Sequence, residues 1–473
     1  MKKQLAGILA LAMSLSMAAC SSDTGSGETP ANETTTTAAA AQNETTEKAD
    51  EEDSAEAEGD TEASQEEKQE PAKDVKYPTA MSMLRDVELE NKNIKILSFY
   101  GWEDLPQAAV ELFEQKYGGT VTLYETLAPD LSENLAGYIK NGEGIDLIPD
   151  YLMLSQLTAG ELQPVDSYID LNSDIWQNTK KAMEAYNFGG KHYELVTGVS
   201  PAYYCFYNKK TIEEHGFDDP WELYKAGNWN WDTFESMLSD FVNQGGLGLC
   251  DFYFGQALSR SAGVPFAEVS DGRIVSNAGD QALKNAVDFG MKLNNNGLVV
   301  SHSDVFPSSS NLNNGDQLFY ITYSGELTST GISDNLGVVP VPSPAGSDPY
   351  QYTRVNEFNG YNLCKDAQNP EGAVLFAECI IAANNDPEAI SQKWKGNFDL
   401  SDEIISQLNE IDDLASRYPV IDLSDMSLEF CDSINSPIIA NTYFYGKASD
   451  LSIIDTAAAA IDESLQAALA GME

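Results

Sequence analysis

Residues 93–126, NIKILSFYGWEDLPQAAVELFEQKYGGTVTLYET, contain the pattern that decides the fold. The first ten residues are mostly apolar and β-favouring, which predicts a buried strand. Ala109, Leu112 and Phe113 then recur at helical spacing, and a Gly-Gly pair ends the helix. TVTLYET predicts a second strand. A strand, a helix and a strand in this order predict a parallel sheet with helices on both faces.

The same α/β pattern continues towards the carboxyl terminus. Residues 131–138 favour a helix, and GEGIDLIPDY (142–151) favours a third short strand. Helices are also predicted from WNWDTFESMLSDFVNQGG, NAGDQALKNAVDFGMKLNNNG, EGAVLFAECIIAANN and SIIDTAAAAIDESLQAALAG, and strands from DQLFYITYSGE and NLGVVPVPSP. Ligands of such sheets bind at the carboxyl ends of the strands, so the residues there are candidates for a ligand site.

The composition limits the classes of partner. The chain has 473 residues, a formal net charge of −48 and 42% hydrophobic residues, so a large core can form. Nucleic-acid phosphates and an anionic membrane surface would both be repelled by so negative a chain. We therefore expect no nucleic-acid partner.

Residues 1–20, MKKQLAGILALAMSLSMAAC, are typical of a targeting segment. Two lysines precede an apolar run that is too short to span a membrane, for which about twenty residues are needed. An ordinary secretory signal is one interpretation. However, Met17-Ala18-Ala19-Cys20 resembles a bacterial lipobox, in which the cysteine is lipidated and becomes the mature amino terminus. This resemblance implies a lipid anchor at Cys20 and a location on the extracellular face of the cell membrane.

Residues 21–76 differ sharply in composition from the rest of the chain. They contain seventeen acidic and four basic residues and almost no large apolar side chain. Such a segment buries too little surface to offset its ordering entropy, so we expect a disordered acidic linker. Residues 77–473 are then the globular body.

Five cysteines remain after Cys20: Cys205, Cys250, Cys364, Cys379 and Cys431. An odd number outside the cell means at least one free thiol or an intermolecular bridge. Burial as small apolar residues is favoured over pairing, and no pairing can be assigned. No CxxC sequence occurs, and no histidine lies near a cysteine at metal-ligand spacing. We expect neither a metal site nor a cofactor.

The stretch AYYCFYN (202–208) places four aromatic rings in five residues. Successive side chains of a strand point to opposite faces, so Tyr203 and Cys205 would share one face, and Tyr204 and Phe206 the other. We expect Tyr203 to face a ligand and Tyr204 and Phe206 to lie in the core.

Several segments, taken in order, resemble the family 1 extracellular solute-binding proteins, the ligand receptors of sugar-type ABC importers. These segments are GEGIDL, GKHYELV, FYNKKTIEEHGF, WNWDTFESML, YSGE with LGVVPVPSPAG, and NGYNLCKDAQNPEGAVLFAECI. Ile145 stands where the family usually has proline, and GKHYELV also lacks its usual proline. Glu326-Leu327 stand where members often have an aromatic ring.

The resemblance implies a periplasmic-binding-protein-like fold, in which two discontinuous α/β lobes are joined by a hinge around a ligand cleft. Lobe 1 would comprise about 77–202 and 358–415, and lobe 2 about 203–357 and 416–473. The chain would cross between lobes near 200–205, near 354–360 and within 416–437. A monomer that works with ABC permease subunits is expected.

The expected ligand is a sugar or oligosaccharide, delivered to an ABC importer by hinge closure. Aromatic rings stack on the apolar faces of a sugar, while carboxylates and amides bind its hydroxyls. Candidate ligand-binding residues at predicted strand ends and crossings are Trp102, Glu103, Asp150, Tyr151, Tyr203, Glu326, Asn356, Glu357 and Tyr361. Acidic residues beside aromatic rings suit a polyamine or another small solute equally. A ligand sensor or adhesin on the same fold is a further alternative.

An enzyme is the less favoured class. A glycoside hydrolase needs two carboxylates in a fixed geometry, but with 75 acidic residues such pairs arise by chance. His192, His215 and His302 are scattered, and neither a GxSxG nor a Walker A sequence occurs. We therefore predict no catalytic residue.

Overall fold

The predicted strand, helix and strand form at Asn93–Phe99, Gln107–Tyr117 and Thr120–Thr126 in the computed structural model, which describes residues 76–99, 105–151, 153–323, 335–347, 360–398, 400–417 and 420–472. The helices are α1 (Pro78–Met83), α2 (Gln107–Tyr117), α3 (Leu131–Asn141), α4 (Met153–Thr158), α5 (Lys180–Ala185), α6 (Lys209–His215), α7 (Pro220–Lys225), α8 (Trp231–Asn243), α9 (Phe254–Arg260), α10 (Gln281–Asn295), α11 (Ser309–Asn313), α12 (Pro370–Ala383), α13 (Pro387–Phe398), α14 (Asp402–Arg417), α15 (Leu428–Ile434) and α16 (Ser452–Met472).

The strands are β1 (Asn93–Phe99), β2 (Thr120–Thr126), β3 (Leu147–Pro149), β4 (Asn187–Phe188), β5 (Lys191–His192), β6 (Glu194–Val196), β7 (Tyr204–Asn208), β8 (Ala267–Ser270), β9 (Arg273–Ser276), β10 (Phe319–Thr322), β11 (Leu336–Pro340) and β12 (Gly360–Leu363). Short 3₁₀ turns occur at Ala128–Asp130, Asp174–Trp176 and Leu423–Asp425, and Asn435–Phe444 is a π-helix.

The first sheet has the strand order β2-β1-β3-β12-β6. Strands β1, β2 and β3 are parallel, as predicted. Strand β12 runs antiparallel to both of its neighbours, β3 and β6. Because β12 lies antiparallel between them, β3 and β6 point in the same direction. The carboxyl ends of β1, β3 and β6 therefore share one edge of the sheet with the amino end of β12.

The second sheet has the order β10-β7-β11, with β7 antiparallel to both neighbours. Tyr204 and Phe206 are buried in one cluster, which we call the third core. Cys205 and Tyr207 are buried in another cluster, the second core, on the opposite face. The predicted alternation along this strand is confirmed, and so is the burial of Tyr204 and Phe206.

The helix α14 packs on the second sheet. Its Ile404 and Leu408 join Tyr204, Phe206 and Val338 in the third core. The sequence-based boundaries assigned most of α14 to lobe 1. An amphipathic helix covers whichever apolar sheet face is bare, and periodicity does not identify that face, so the lobe boundaries stay a prediction.

The last helix, α16, connects two cores. Ile454 near its start lies in the second core, whereas Ile461 and Leu465 lie in the first core, which surrounds the first sheet. Its second half therefore packs on the first core, whereas its start packs on the second. Helix α15 makes a comparable crossing, with Phe430 in the first core and Ile434 in the second.

None of the five cysteines named above forms a disulfide, and Cys431 is the most exposed of them. Burial raises the pKa of the Cys205 and Cys364 thiols well above the ordinary value. Among the described cysteines, we expect an alkylating reagent to label Cys431 first in the native protein, because Cys431 is the most exposed and burial disfavours the thiolates of Cys205 and Cys364. Peptide mass mapping after brief labelling checks this, with Cys431→Ser as control. Faster labelling of Cys205 or Cys364 would contradict it.

Among the described residues, no helix combines the length and apolar character needed to cross a membrane. Cys20 and nearly all of the predicted linker lie outside the described residues. The targeting segment, the linker and the lipid anchor therefore stay predictions.

Candidate ligand-binding site

Residues 197–203 connect the carboxyl end of β6 to the amino end of β7. The segment leaves the first sheet at the edge described above. It reaches the second sheet at the end where β10 and β11 finish, since Thr322 and Pro340 both pair with Tyr204. The strand ends of the two sheets are thus joined by one short segment, and the candidate residues lie on either side of it.

On the first sheet, Asp150 and Tyr151 directly follow β3, and Tyr361 is the second residue of β12. Tyr361 pairs with Pro149, so it neighbours the end of β3. The Tyr151 ring lies 5.0 Å from the Phe99 ring, centroid to centroid. Tyr361 is 5% exposed and its ring belongs to the first core. These three predicted residues are therefore brought together at one sheet edge.

On the second sheet, Tyr203 belongs to a group of three tyrosines. Its ring stacks on Tyr253 with centroids 5.7 Å apart, and Tyr253 meets the Tyr323 ring edge-on at 5.5 Å. All three side chains are half-buried. Tyr203 and Tyr323 adjoin the ends of β7 and β10, and Tyr253 directly precedes α9. The three rings form a partly open aromatic surface, which we call the tyrosine platform. Sequence reasoning identified Tyr203 but missed Tyr253 and Tyr323.

Arg260, at the end of α9, lies behind the tyrosine platform. Its Nη1 donates a hydrogen bond to the Tyr203 hydroxyl at 3.3 Å. Its Nη2 lies 2.7 Å from Asp425 Oδ1, and its Nε lies 3.4 Å from Asp422 Oδ2. Burial alone would lower the pKa of Arg260, but Asp425, Tyr203 and Asp422 outweigh it and hold that pKa above its ordinary value. The guanidinium therefore stays charged and fixes the Tyr203 ring.

A pair of buried acids occupies the edge of the first sheet. Asp150 and Glu194 are both 0% exposed, and the two carboxyl groups are near enough for Asp150 to influence the pKa of Glu194. Glu194 begins β6, two strands from β3, so its side chain crosses β12 to reach Asp150. Sequence reasoning identified Asp150 and missed Glu194, because GKHYELV gives no sign that its glutamate is buried.

The remaining predicted site residues are Trp102, Glu103, Glu326, Asn356 and Glu357, and they lie outside the described residues. Their role stays a prediction. Within the described ranges, no group of three or more His, Cys, Asp or Glu side chains is arranged to hold a metal ion.

The sequence profile of the bacterial extracellular solute-binding proteins matches residues 108–395, which is more than half of the chain. The chain belongs to this family. No curated protein sequence matches it.

Solved structures of other solute-binding proteins resemble this one. The ABC substrate-binding protein Lmo0181 from Listeria monocytogenes, in complex with cycloalternan, is 16% identical with a TM-score of 0.57, over 80% of this chain and 100% of that chain. The galacto-N-biose-/lacto-N-biose I-binding protein of Bifidobacterium longum is also 16% identical, with a TM-score of 0.58 over 80% and 98%. The cyclic α-maltosyl-1,6-maltose binding protein from Arthrobacter globiformis is 13% identical, with a TM-score of 0.55 over 80% and 99%.

At these identities the likeness establishes the fold. This solute-binding protein has the periplasmic-binding-protein-like architecture that the sequence predicted, with two α/β lobes joined by a hinge.

Proposed function

We propose that this solute-binding protein is a lipid-anchored receptor that delivers a sugar or oligosaccharide to an ABC importer. The observation that carries the proposal is the tyrosine platform beside the segment that joins the two sheets. Stacked rings bind the apolar faces of a sugar, and the phenol hydroxyls bind its polar rim. The structures that it resembles include receptors for cycloalternan and lacto-N-biose, which supports the same ligand class.

Ligand binding would shift the protein towards a closed state. A ligand that contacts both lobes binds the closed state more tightly and so increases its population. Isothermal calorimetry and tryptophan fluorescence with a panel of mono-, di- and cyclic oligosaccharides test the carbohydrate proposal. If no sugar in the panel gives a heat of binding or a change in fluorescence, the carbohydrate proposal is rejected.

Replacing Tyr253 with alanine should weaken binding of the sugar identified in that panel by about tenfold, because one stacking partner is lost. The matched control is Tyr138→Ala, which removes a half-buried tyrosine that packs on Tyr124 with ring centroids 5.8 Å apart. Calorimetry of both variants measures the effect. Equal affinities for Tyr253→Ala and the wild type would show that the platform does not contact ligand.

A polyamine or another cationic solute is the second candidate. It is favoured by the Asp150–Glu194 pair and by the tyrosine rings, since carboxylates and aromatic faces both attract cations. Adding putrescine and spermidine to the panel separates this ligand class from sugars. If the protein is a sensor or adhesin, it should still bind its ligand, but cells that lack the protein should take up that ligand as well as wild-type cells do.

The lipid anchor and the partners are tested in cells. Cys20→Ala should release the protein into the medium, whereas the wild-type protein, which carries the lipid on Cys20, should stay with the membrane fraction. Uptake of the bound ligand should require the protein and its permease subunits. Size-exclusion chromatography is expected to give a monomer, and a chromogenic glycoside panel is expected to give no turnover.

A further inference from the structure

Asp150 and Glu194 form an acid pair whose charge state has a direct bearing on the ligand site. Asp150 follows the last residue of β3, and its backbone N–H donates to the carbonyl of Gly360 at 3.3 Å. Glu194 is the first residue of β6, on the far side of β12. Both side chains are 0% exposed.

Two ionised carboxylates cannot make a hydrogen bond with each other, because both are acceptors. The Asp150–Glu194 contact is a hydrogen bond only when one of the two carboxyl groups carries a proton. Neither oxygen of Glu194 receives a hydrogen bond from a donor within the described part of the chain. Because the Glu194 side chain is 0% exposed, an ionised Glu194 would lose its hydration, which is costly.

Gly360 makes the contact possible. A Cβ atom at position 360 would overlap Oε1 of Glu194 and approach its carboxyl carbon within 3.0 Å. The missing side chain leaves a passage over β12, through which Glu194 reaches the end of β3. A side chain larger than glycine at position 360 is therefore incompatible with the observed position of the Glu194 carboxyl group.

The charged and polar side chains on the elements that pack against β6 interact with residues other than Glu194. Glu184 on α5 lies 3.4 Å from His192 Nε2, and Glu378 on α12 pairs with Arg85 at 2.9 Å. On β12, the Asn362 amide donates to the Tyr193 carbonyl at 3.1 Å.

We propose that Glu194 is a protonated carboxylic acid at neutral pH, which donates its hydrogen bond to Asp150 and acts as the positioning residue for that carboxylate. The pair then carries one negative charge rather than two. Burial raises the pKa of Glu194, because its ionised form would lose hydration. The shared proton needs no ligand, but its effect on ligand choice rests on the proposed function.

The proton also affects which ligands the edge accepts. A neutral sugar leaves the proton in place, because it brings no charge to replace it. A cationic solute would favour the doubly charged pair and would release the proton on binding, so that its affinity would rise with pH. Proton sharing therefore favours the carbohydrate candidate at neutral and acidic pH.

The first test measures stability against pH without ligand. The native state holds a proton that the unfolded state releases above the ordinary carboxyl pKa, so the wild type loses stability as the pH rises. Between about pH 5 and about pH 7, its unfolding equilibrium constant should rise by up to about tenfold per pH unit relative to Glu194→Gln. Urea unfolding of both proteins measures this difference. Glutamine keeps the donor to Asp150, so the variant should fold.

The matched control is Glu235→Gln, which removes a glutamate whose Oε2 lies 2.5 Å from Lys292 Nζ. It should keep the pH dependence of the wild type. The second readout is infrared spectroscopy at about pH 7. The carbonyl-stretch band of a protonated carboxyl group should weaken in Glu194→Gln. In Asp150→Asn the band should persist but shift in frequency, because Glu194 stays buried and protonated while the acceptor of its hydrogen bond changes from a carboxylate to an amide; this variant tests the same proton if Glu194→Gln does not fold.

A pH dependence shared by Glu194→Gln and the wild type, or an infrared band unchanged in both variants, would overturn the proposal. Neither experiment contains a ligand. If no sugar binds, the proposed function is rejected but the proposal on the acid pair is not affected. If the stability difference between the wild type and Glu194→Gln does not change with pH, only the proposal on the acid pair is rejected.

Discussion

Replacing Arg260 with methionine is expected to lower the free energy of unfolding by about 3–5 kcal/mol, because breaking a buried ion pair from one side leaves uncompensated charge. Arg260 is 9% exposed and contacts both Asp422 and Asp425. Methionine keeps the apolar bulk of the side chain and removes its charge. The two carboxylates would then lose their shared partner, and the Tyr203 hydroxyl would lose a donor.

Urea unfolding at neutral pH measures the loss. The control is Arg273→Met, which removes an ion pair of equal length, with 2.7 Å between Arg273 Nη1 and Asp462 Oδ2. The Arg273 side chain is 63% exposed, so that loss should stay below about 1 kcal/mol. Similar losses in the two variants would contradict the structural role of Arg260. The folded fraction of Arg260→Met should also bind ligand more weakly, because the Tyr203 hydroxyl loses the hydrogen bond from Arg260 that positions its ring.

The second large effect is expected for Asp146→Ala, at about 3 kcal/mol, because one buried and one half-buried N–H group would lose their acceptor. Asp146 is 1% exposed. Its carboxylate accepts from the backbone N–H of Lys95 at 2.9 Å and from that of Asn369 at 2.7 Å. Asn369 is itself the N-cap of α12, with its side chain accepting from Gly372. One carboxylate thus connects β1, the start of β3 and the start of α12.

Asp280→Ala is the matched control for this variant. Asp280 Oδ1 also accepts from a backbone N–H, that of Ala282 at 2.7 Å, but at an exposed helix start. Loss of an exposed cap typically costs about 1 kcal/mol. Thermal and urea unfolding should therefore separate the two variants clearly. A cost for Asp146→Ala no greater than that for Asp280→Ala would show that the three elements are held together by other contacts.

The sequence predicted the parts of the fold that are encoded locally. The unit from β1 to β2 was predicted because apolar spacing and the closing glycines lie within one short stretch. The alternation along β7 was predicted for the same reason, since period two is visible in five residues. The family resemblance then implied the fold of two lobes, which the sequence profile and the solved structures support.

The sequence could not predict contacts that join distant segments. Arg260 and Asp422 are separated by 162 residues, and neither stands in a recognisable motif. Tyr253 and Tyr323 meet only because α9 and β10 pack side by side. Within the sequence GKHYELV nothing distinguishes Glu194 from an exposed polar residue, and its burial becomes evident only when β6 is seen paired with β12 in the sheet. Burial of polar groups depends on tertiary packing, which local pattern does not encode.

The crossings of α15 and α16 between cores set the mechanics of the hinge. Each is a continuous helix with one end in the first core and the other in the second, and α15 runs directly into the π-helix Asn435–Phe444. Rotation of one lobe against the other would have to displace these two helices as well as the segment 197–203. Because each helix is anchored by packing at both ends, we expect the pair to restrict how far the two lobes can move relative to each other.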